Sequence, residues 1–305
     1  MKPDDSSLAI ADLIAIEKRA SDLLDRADAW DRFPIPIDDI LAAANVKVAR
    51  HSIFDAASII AYLKGKASSA TTNIKSAVSK ILGLYDAGDN LIHVDGTVVE
   101  AKQTFLKLHE AGHHDIPTHK KLFRFFQDCE KTLAPDVADQ FEREANNFAR
   151  FALFKGNAFM HDAADNPFAL RTPINLAKRY GASVYASVRE FARTNPRSCV
   201  VYVLEQIEFV AGYGYQAAVR RVEPSPSFRQ QFGDNSDIVI TPDHTLGPVL
   251  PIGRKVTKPM NVTMKDRNGD THECVAEAFD TTYNVIILLY PTNALTTSTI
   301  IFPTT

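Results

Sequence analysis

His109, Glu110 and His113 stand in the order H-E-x-x-H within QTFLKLHEAGHHDIPTHKKLF, residues 103–123, a stretch that holds four of the chain's nine histidines. Two residues four apart on a helix lie on one face, one turn above the other, so both imidazoles can converge on a single cation. Neutral imidazole suits Zn2+, and a catalytic zinc takes three protein ligands and keeps a fourth position for water. Glu110 sits about 100° further round the same helix, near enough to reach that water without binding the ion. Because zinc lowers the pKa of its water to about 7, a carboxylate placed there can serve as general base. The chemistry expected of this set is hydrolysis.

A third ligand is needed, and two residues could supply it. His119 lies six residues beyond His113, which is the metzincin spacing. That arrangement needs a glycine midway, to turn the chain back toward the metal. Ile116 stands there instead, followed by Pro117, and a β-branched residue before proline disfavours the positive φ such a turn uses. The preferred ligand is therefore Glu142, in QFEREANNFARFAL, residues 140–153. It neighbours Phe141 and Ala145 at the edge of an apolar helical stripe and is expected to point inward, with Arg143 and Asn147 toward solvent. Asn146, one turn on, is placed to hydrogen-bond a ligand histidine and fix its tautomer. Glu144, about 200° from Glu142 around the helix, is expected to face water.

These residues need two helices and a support. Thr97 and Glu100 form a T-x-x-E capping box that predicts a helix running to about His114. A second helix is expected after Pro135, with Ala138, Phe141, Ala145, Phe148 and Ala152 on its buried stripe. Upstream, residues 6–30 carry a helical period through Leu13, Ile14, Leu23, Leu24 and Ala27. FPIPIDDILAAAN (33–45) predicts a short helix, and the following VKVA a strand. SKILGLYDAGDNLIHVDG (79–96) has two apolar runs about a Gly/Asp/Asn turn, the pattern of a hairpin. Helical texture returns over 174–193. From Cys199 onward β-branched runs such as CVVYVL, NVTM and NVIILLY alternate with turn residues. The fold class expected is α+β in three parts: 1–160 with the metal residues, a helical connector at 161–198, and a β-rich part at 199–305.

Composition bounds the function. The chain has 305 residues, 45% apolar and 23% charged, with a net charge of −3. That is ordinary globular material with no general pull toward nucleic acid or anionic lipid. No run approaches the roughly 18 apolar residues of a membrane span, and MKPDDSSLAIADL has acids where a signal peptide would carry bases. Three widely spaced cysteines, Cys129, Cys199 and Cys274, form no CxxC pair, which fits a reducing cytoplasm. Lys178, Arg179, Arg189, Arg193 and Arg197 lie about Gly181 in a stretch with helix-turn-helix placements, which allows contact with DNA, but the acidic chain favours a helical connector whose basic face is merely solvated.

KQTFLKLHEAGHH followed by EREANNFA resembles the paired motifs of the ImmA/IrrE-type metallopeptidases, R-x-x-F-x-x-x-H-E-x-G-H and E-x-x-A-N-x-F-A, over roughly residues 30–155. Lys102 replaces the arginine of that pattern, and the second helix runs into LFKGNAFM rather than LLMP. The resemblance implies a zincin-like, gluzincin-type site, with His109, His113 and Glu142 binding Zn2+ and Glu110 as base. It also implies a protein substrate, typically a helix-turn-helix transcriptional repressor cleaved in a stress response or mobile-element switch, and no membrane partner. Enzymes of this kind commonly hold substrate as an added strand, for which NLIHVDG is the candidate sheet edge and His93 a candidate oxyanion donor. Some members end in a GAF-like sensor domain, one form the β-rich part could take. The alternative from another class is a DNA-binding regulator with a structural or sensing metal site.

Overall fold

The computed structural model describes residues 7–49, 83–86, 90–94, 97–119, 135–234 and 237–293. His51, Cys129 and the outer flanks and turn of the expected hairpin lie outside the described residues. The protein is a mixed α+β molecule. Contacts divide it into two compact units, residues 1–158 with 178–182, and residues 159–177 with 183–305. The helices at 159–177 and 183–194 thus cluster with the β-rich part.

The first unit begins with α1 (Ile10–Arg26) and α2 (Ile37–Ala43). The apolar stripe of α1 runs through Ile16, Ala20, Leu23, Leu24 and Ala27, all buried, whereas Ile14 is exposed. The helical period expected there is present, but its stripe lies further along than Leu13 and Ile14 suggested. β1 (Lys47–Val48) runs parallel to β3 (Leu91–Val94), which pairs antiparallel with β2 (Gly83–Asp86), giving the order β1-β3-β2. The expected hairpin is there, yet its second strand is the central one and not an edge. Ile92, His93 and Val94 are buried accordingly. An edge can be read from local pattern only if no distant strand pairs there, and β1, from far upstream, does.

α3 (Glu100–Asp115) and α4 (Pro135–Phe154) follow. α3 starts at Glu100 with Val99 as its N-cap, and no side chain caps it. The capping box expected from Thr97 and Glu100 does not form, because Glu100 opens the first turn rather than closing it. Gln103 instead turns back, its Nε2 donating to the Val98 carbonyl at 2.7 Å. α3 stops where expected, at an extended Ile116 before Pro117. α4 buries Phe141, Ala145, Phe148 and Ala152 and packs on α3 and α1. Gly112 permits the close approach: a Cβ built there would lie 3.1 Å from the Phe148 ring.

The end of α4 is fastened by Lys155. This residue is buried, takes a positive φ of 55°, and extends Nζ to the carbonyls of Ala29, Trp30 and Arg32 at 2.7, 2.9 and 2.5 Å. Its ammonium also lies 3.7 Å from the Phe33 ring centroid. A buried ammonium must have all three protons accepted, and here main-chain oxygens do it.

The second unit is built on a seven-stranded antiparallel sheet. Its strands are β4 (Val200–Leu204), β5 (Glu208–Val210), β6 (Gly214–Pro224), β7 (Val239–Ile240), β8 (Met260–Lys265), β9 (Thr271–Asp280) and β10 (Val285–Pro291). The order is β5-β6-β4-β10-β9-β8, with β7 on β6. β4 is buried throughout and β10 nearly so, as central strands covered on both faces must be. Tyr202, Leu204, Phe228, Ala276, Ile287 and Leu289 belong to its buried hydrophobic cluster. α5 (Ala158–Ala164), α6 (Arg171–Tyr180), α7 (Val184–Thr194) and α8 (Pro226–Phe232) complete the α-helices among the described residues. Gly181 at φ +70° breaks α6 from α7, and Ser183 caps α7 by accepting from the Ala186 amide at 3.1 Å. Cys199 and Cys274 are free and buried, and burial pushes their thiols up to about 12 and about 11.

The basic residues about Gly181 are mostly engaged within their own unit. Arg189 Nε and Arg193 NH2 both reach Glu223 on β6, at 3.0 and 2.9 Å. Arg179 lies over the Phe33 ring, and Arg197 over Phe168. Among the described residues no helix is long and apolar enough to cross a membrane.

Candidate metal centre

His109 and His113 sit one turn apart on the buried face of α3, with their Nε2 atoms 3.1 Å apart. Glu142 comes from α4 and faces both rings, Oε2 at 3.2 Å from His109 Nε2 and Oε1 at 3.5 Å from His113 Nε2. These three residues are the one group of potential ligands found among the described residues. Whether they fit a zinc ion can be tested on their edges. A tetrahedral ion with bonds of about 2.0–2.1 Å holds its ligand atoms about 3.3–3.4 Å apart, and the edges here are 3.1, 3.2 and 3.5 Å. Two imidazoles and one carboxylate also match the donor set that zinc accepts. The fit is good.

Electrostatics agree with an anion gathered between two rings. Burial would raise the Glu142 carboxyl, but the His109 and His113 rings facing it outweigh that and hold the group far below the usual range. Burial lowers His109, yet its bond to Glu142 and the charges of Glu110 and Glu142 turn the net shift upward. His113 goes down to about 4, through burial first and then the neighbouring imidazoles. Both rings are buried, whereas the Glu142 side chain is 43% exposed, so the set can be reached from solvent on that side.

The remaining residues fall into place around this triangle. Glu110 is buried beside the pair and close enough for its charge to act on His109. Asn146 hydrogen-bonds the His109 ring. His119, the other candidate ligand, is fully buried but approaches the far side of His113, Nδ1 to Nδ1 at 3.0 Å. Its Nε2 lies 2.8 Å from Glu144 Oε2, and its ring stacks on Phe141 with centroids 3.9 Å apart.

Two orientations differ from expectation. Glu144 does not face water: its side chain is 15% exposed and turned to His119. Asn147 is buried, its Nδ2 donating to the Arg143 carbonyl at 2.9 Å. His114, next to the pair on α3, is buried as well. Glu144 and Asn147 are covered for one reason. The segment after α3 brings His119 onto the flank of α4, so α4 is covered over more than the stripe its apolar residues mark. A signal was available in the sequence, since a buried His119 needs an acceptor and Glu144 lies a short way along the neighbouring helix. His93, on the central strand β3, is buried within the sheet.

No family model matches the chain, and a comparison with curated proteins gave no match. Among solved structures, a Mycobacterium tuberculosis transcriptional regulator aligns with a TM-score of 0.40 and 10% sequence identity, over 90% of this chain and 80% of its own. Nothing about the site's chemistry follows from a likeness that loose.

Proposed function

We propose that the first unit is a zinc-dependent endopeptidase of the ImmA/IrrE kind, zincin-like in arrangement, which cuts a transcriptional repressor by limited proteolysis. The observation that carries this reading is the triangle of His109 Nε2, His113 Nε2 and the Glu142 carboxylate, with edges of 3.1–3.5 Å, and a buried Glu110 beside it. Zinc held there would supply an acidified water and polarise a peptide carbonyl. The chain's own residues do the rest. His109, His113 and Glu142 hold the ion, and Asn146 steadies the His109 ring. Glu110 accepts a proton from the attacking water on its carboxylate and returns it to the departing amine nitrogen. The exposed side of Glu142 admits the peptide.

Glu110 also favours this reading over a DNA-binding regulator with a structural or sensing ion, because such an ion has no use for a base beside it. Arg189 and Arg193, which a DNA surface would need, are committed to Glu223. For the second unit we infer a sensing or docking role, a GAF-like module being one form of it. Buried free thiols speak for a cytoplasmic setting.

The test is co-expression of the protein with helix-turn-helix repressors encoded near it. Loss of one full-length repressor with the wild type, and its survival with Glu110→Gln, is the expected result. Survival of every candidate beside zinc-loaded wild type would overturn the substrate class.

A further inference from the structure

We propose that His119 and Glu144 are positioning residues that lock His113 into the tautomer whose Nε2 can bind a metal. This rests on the reading that His109, His113 and Glu142 form a metal site, and extends it to residues that would not touch the ion.

The argument is a chain of forced hydrogen-bond directions. Gln140 Nε2 donates to Glu144 Oε1 at 2.8 Å, and an ionised carboxylate can only accept. The 2.8 Å contact between Glu144 Oε2 and His119 Nε2 therefore places the His119 proton on Nε2. A neutral imidazole carries one donor and one acceptor, so His119 Nδ1 is left as the acceptor. It lies 3.0 Å from His113 Nδ1, which must then be the donor. With its proton on Nδ1, neutral His113 turns an Nε2 lone pair toward His109 and Glu142. A carboxylate two imidazoles away thus sets the ring face presented to the ion. The arrangement is well held: His119 is fully buried and stacked on Phe141, and Gln140 Oε1 in turn accepts from Arg143 at 3.2 Å. Ligand histidines commonly lean on a carboxylate directly, and removing such a partner weakens metal binding by about 10–100-fold. Here a second histidine is interposed.

The test uses the full chain, with zinc affinity measured by chelator competition and imidazole tautomers read from 15N ring shifts of the zinc-free protein. His119→Phe keeps the aromatic stack and deletes the acceptor. It should weaken zinc binding by about 10–100-fold and leave His113 as a mixture of tautomers, at unchanged one-to-one stoichiometry. His119→Asn, whose carbonyl oxygen can take the place of Nδ1, should recover most of both. Glu144→Leu should behave as His119→Phe. A purely structural role would not be rescued by asparagine and would not move the His113 tautomer. Wild-type affinity in His119→Phe, or an unaltered His113 tautomer, would overturn the proposal while leaving the metal site intact. Loss of stoichiometry in His119→Phe would make His119 a ligand instead and overturn it too. Failure of the wild type to bind zinc at all would sink the metal-site reading itself, and this proposal with it.

Discussion

His109 and Glu142 meet from two different helices, Nε2 to Oε2 at 3.2 Å. α3 alone can offer a cation only two imidazoles, and the third donor exists only once α4 has docked. Glu142→Ala should therefore leave less than one equivalent of zinc on the protein after gel filtration at micromolar concentration, against one for the wild type. Metal analysis of the eluted protein decides it, and a full equivalent in the variant would remove Glu142 from the ligand set.

Glu110→Gln separates binding from chemistry. The amide keeps the shape of the side chain but cannot take a proton, so zinc content should stay at one equivalent. Cleavage of a genuine substrate should fall by about 10²–10⁴-fold, the range that general acid–base groups contribute. A variant that cuts at the wild-type rate would remove the base from Glu110.

Gly112 tests the helix contact. With a Cβ position only 3.1 Å from the Phe148 ring, Gly112→Val overpacks the α3–α4 interface. Urea unfolding should show a loss of about 1–3 kcal/mol, accompanied by weaker zinc binding as the helices part. Unchanged values of both would mean that the two helices tolerate a wider spacing.

Acid should loosen the second unit through Glu223. Burial alone would raise this carboxyl, but the charges of Arg193 and Arg189 outweigh it and hold it below its ordinary value of 4.5. A depressed carboxyl stabilises the folded state above its unfolded-state pKa, and that contribution drains away as pH falls through the folded one. Stability should thus be flat near neutrality and decline below about pH 4.5. Glu223→Gln should cost about 3 kcal/mol at pH 7 by stranding the buried Arg189 and the half-buried Arg193, and flatten the decline. Denaturant melts from pH 7 to pH 3 read both effects; parallel curves for the two proteins would show that the acid sensitivity lies elsewhere.

Lys155→Met removes the ammonium and deprives the carbonyls of Ala29, Trp30 and Arg32 of their shared donor. The expected loss is about 3 kcal/mol, seen as an earlier thermal transition of the first unit. An unaltered melt would mean that water replaces the lysine at no cost.

The residues His109, Glu110, His113 and Glu142 were legible because residue type and a 3.6-residue period are local properties. Spacing alone puts two imidazoles on one face. What lay beyond local pattern was covered surface. Angular arithmetic sends Glu144 to the far side of α4 from Glu142, and it cannot know that residues 117–119 fold back there. The central place of β3 escaped for the same reason, since β1 joins the sheet from upstream. The α+β class and the strands after Cys199 were easier, being runs of β-branched residues between turn signals. The ion pairs of Arg189 and Arg193 with Glu223 join α7 to β6, a pairing that charge counting along one helix does not reveal.

The lysine that ends α4 grips oxygens that every amino acid carries. Positions 29, 30 and 32 could drift freely, provided the peptide path stays put, while position 155 could not drift with them. No correlated exchange would betray the clamp, so a survey of paired substitutions would see an invariant lysine with nobody to talk to.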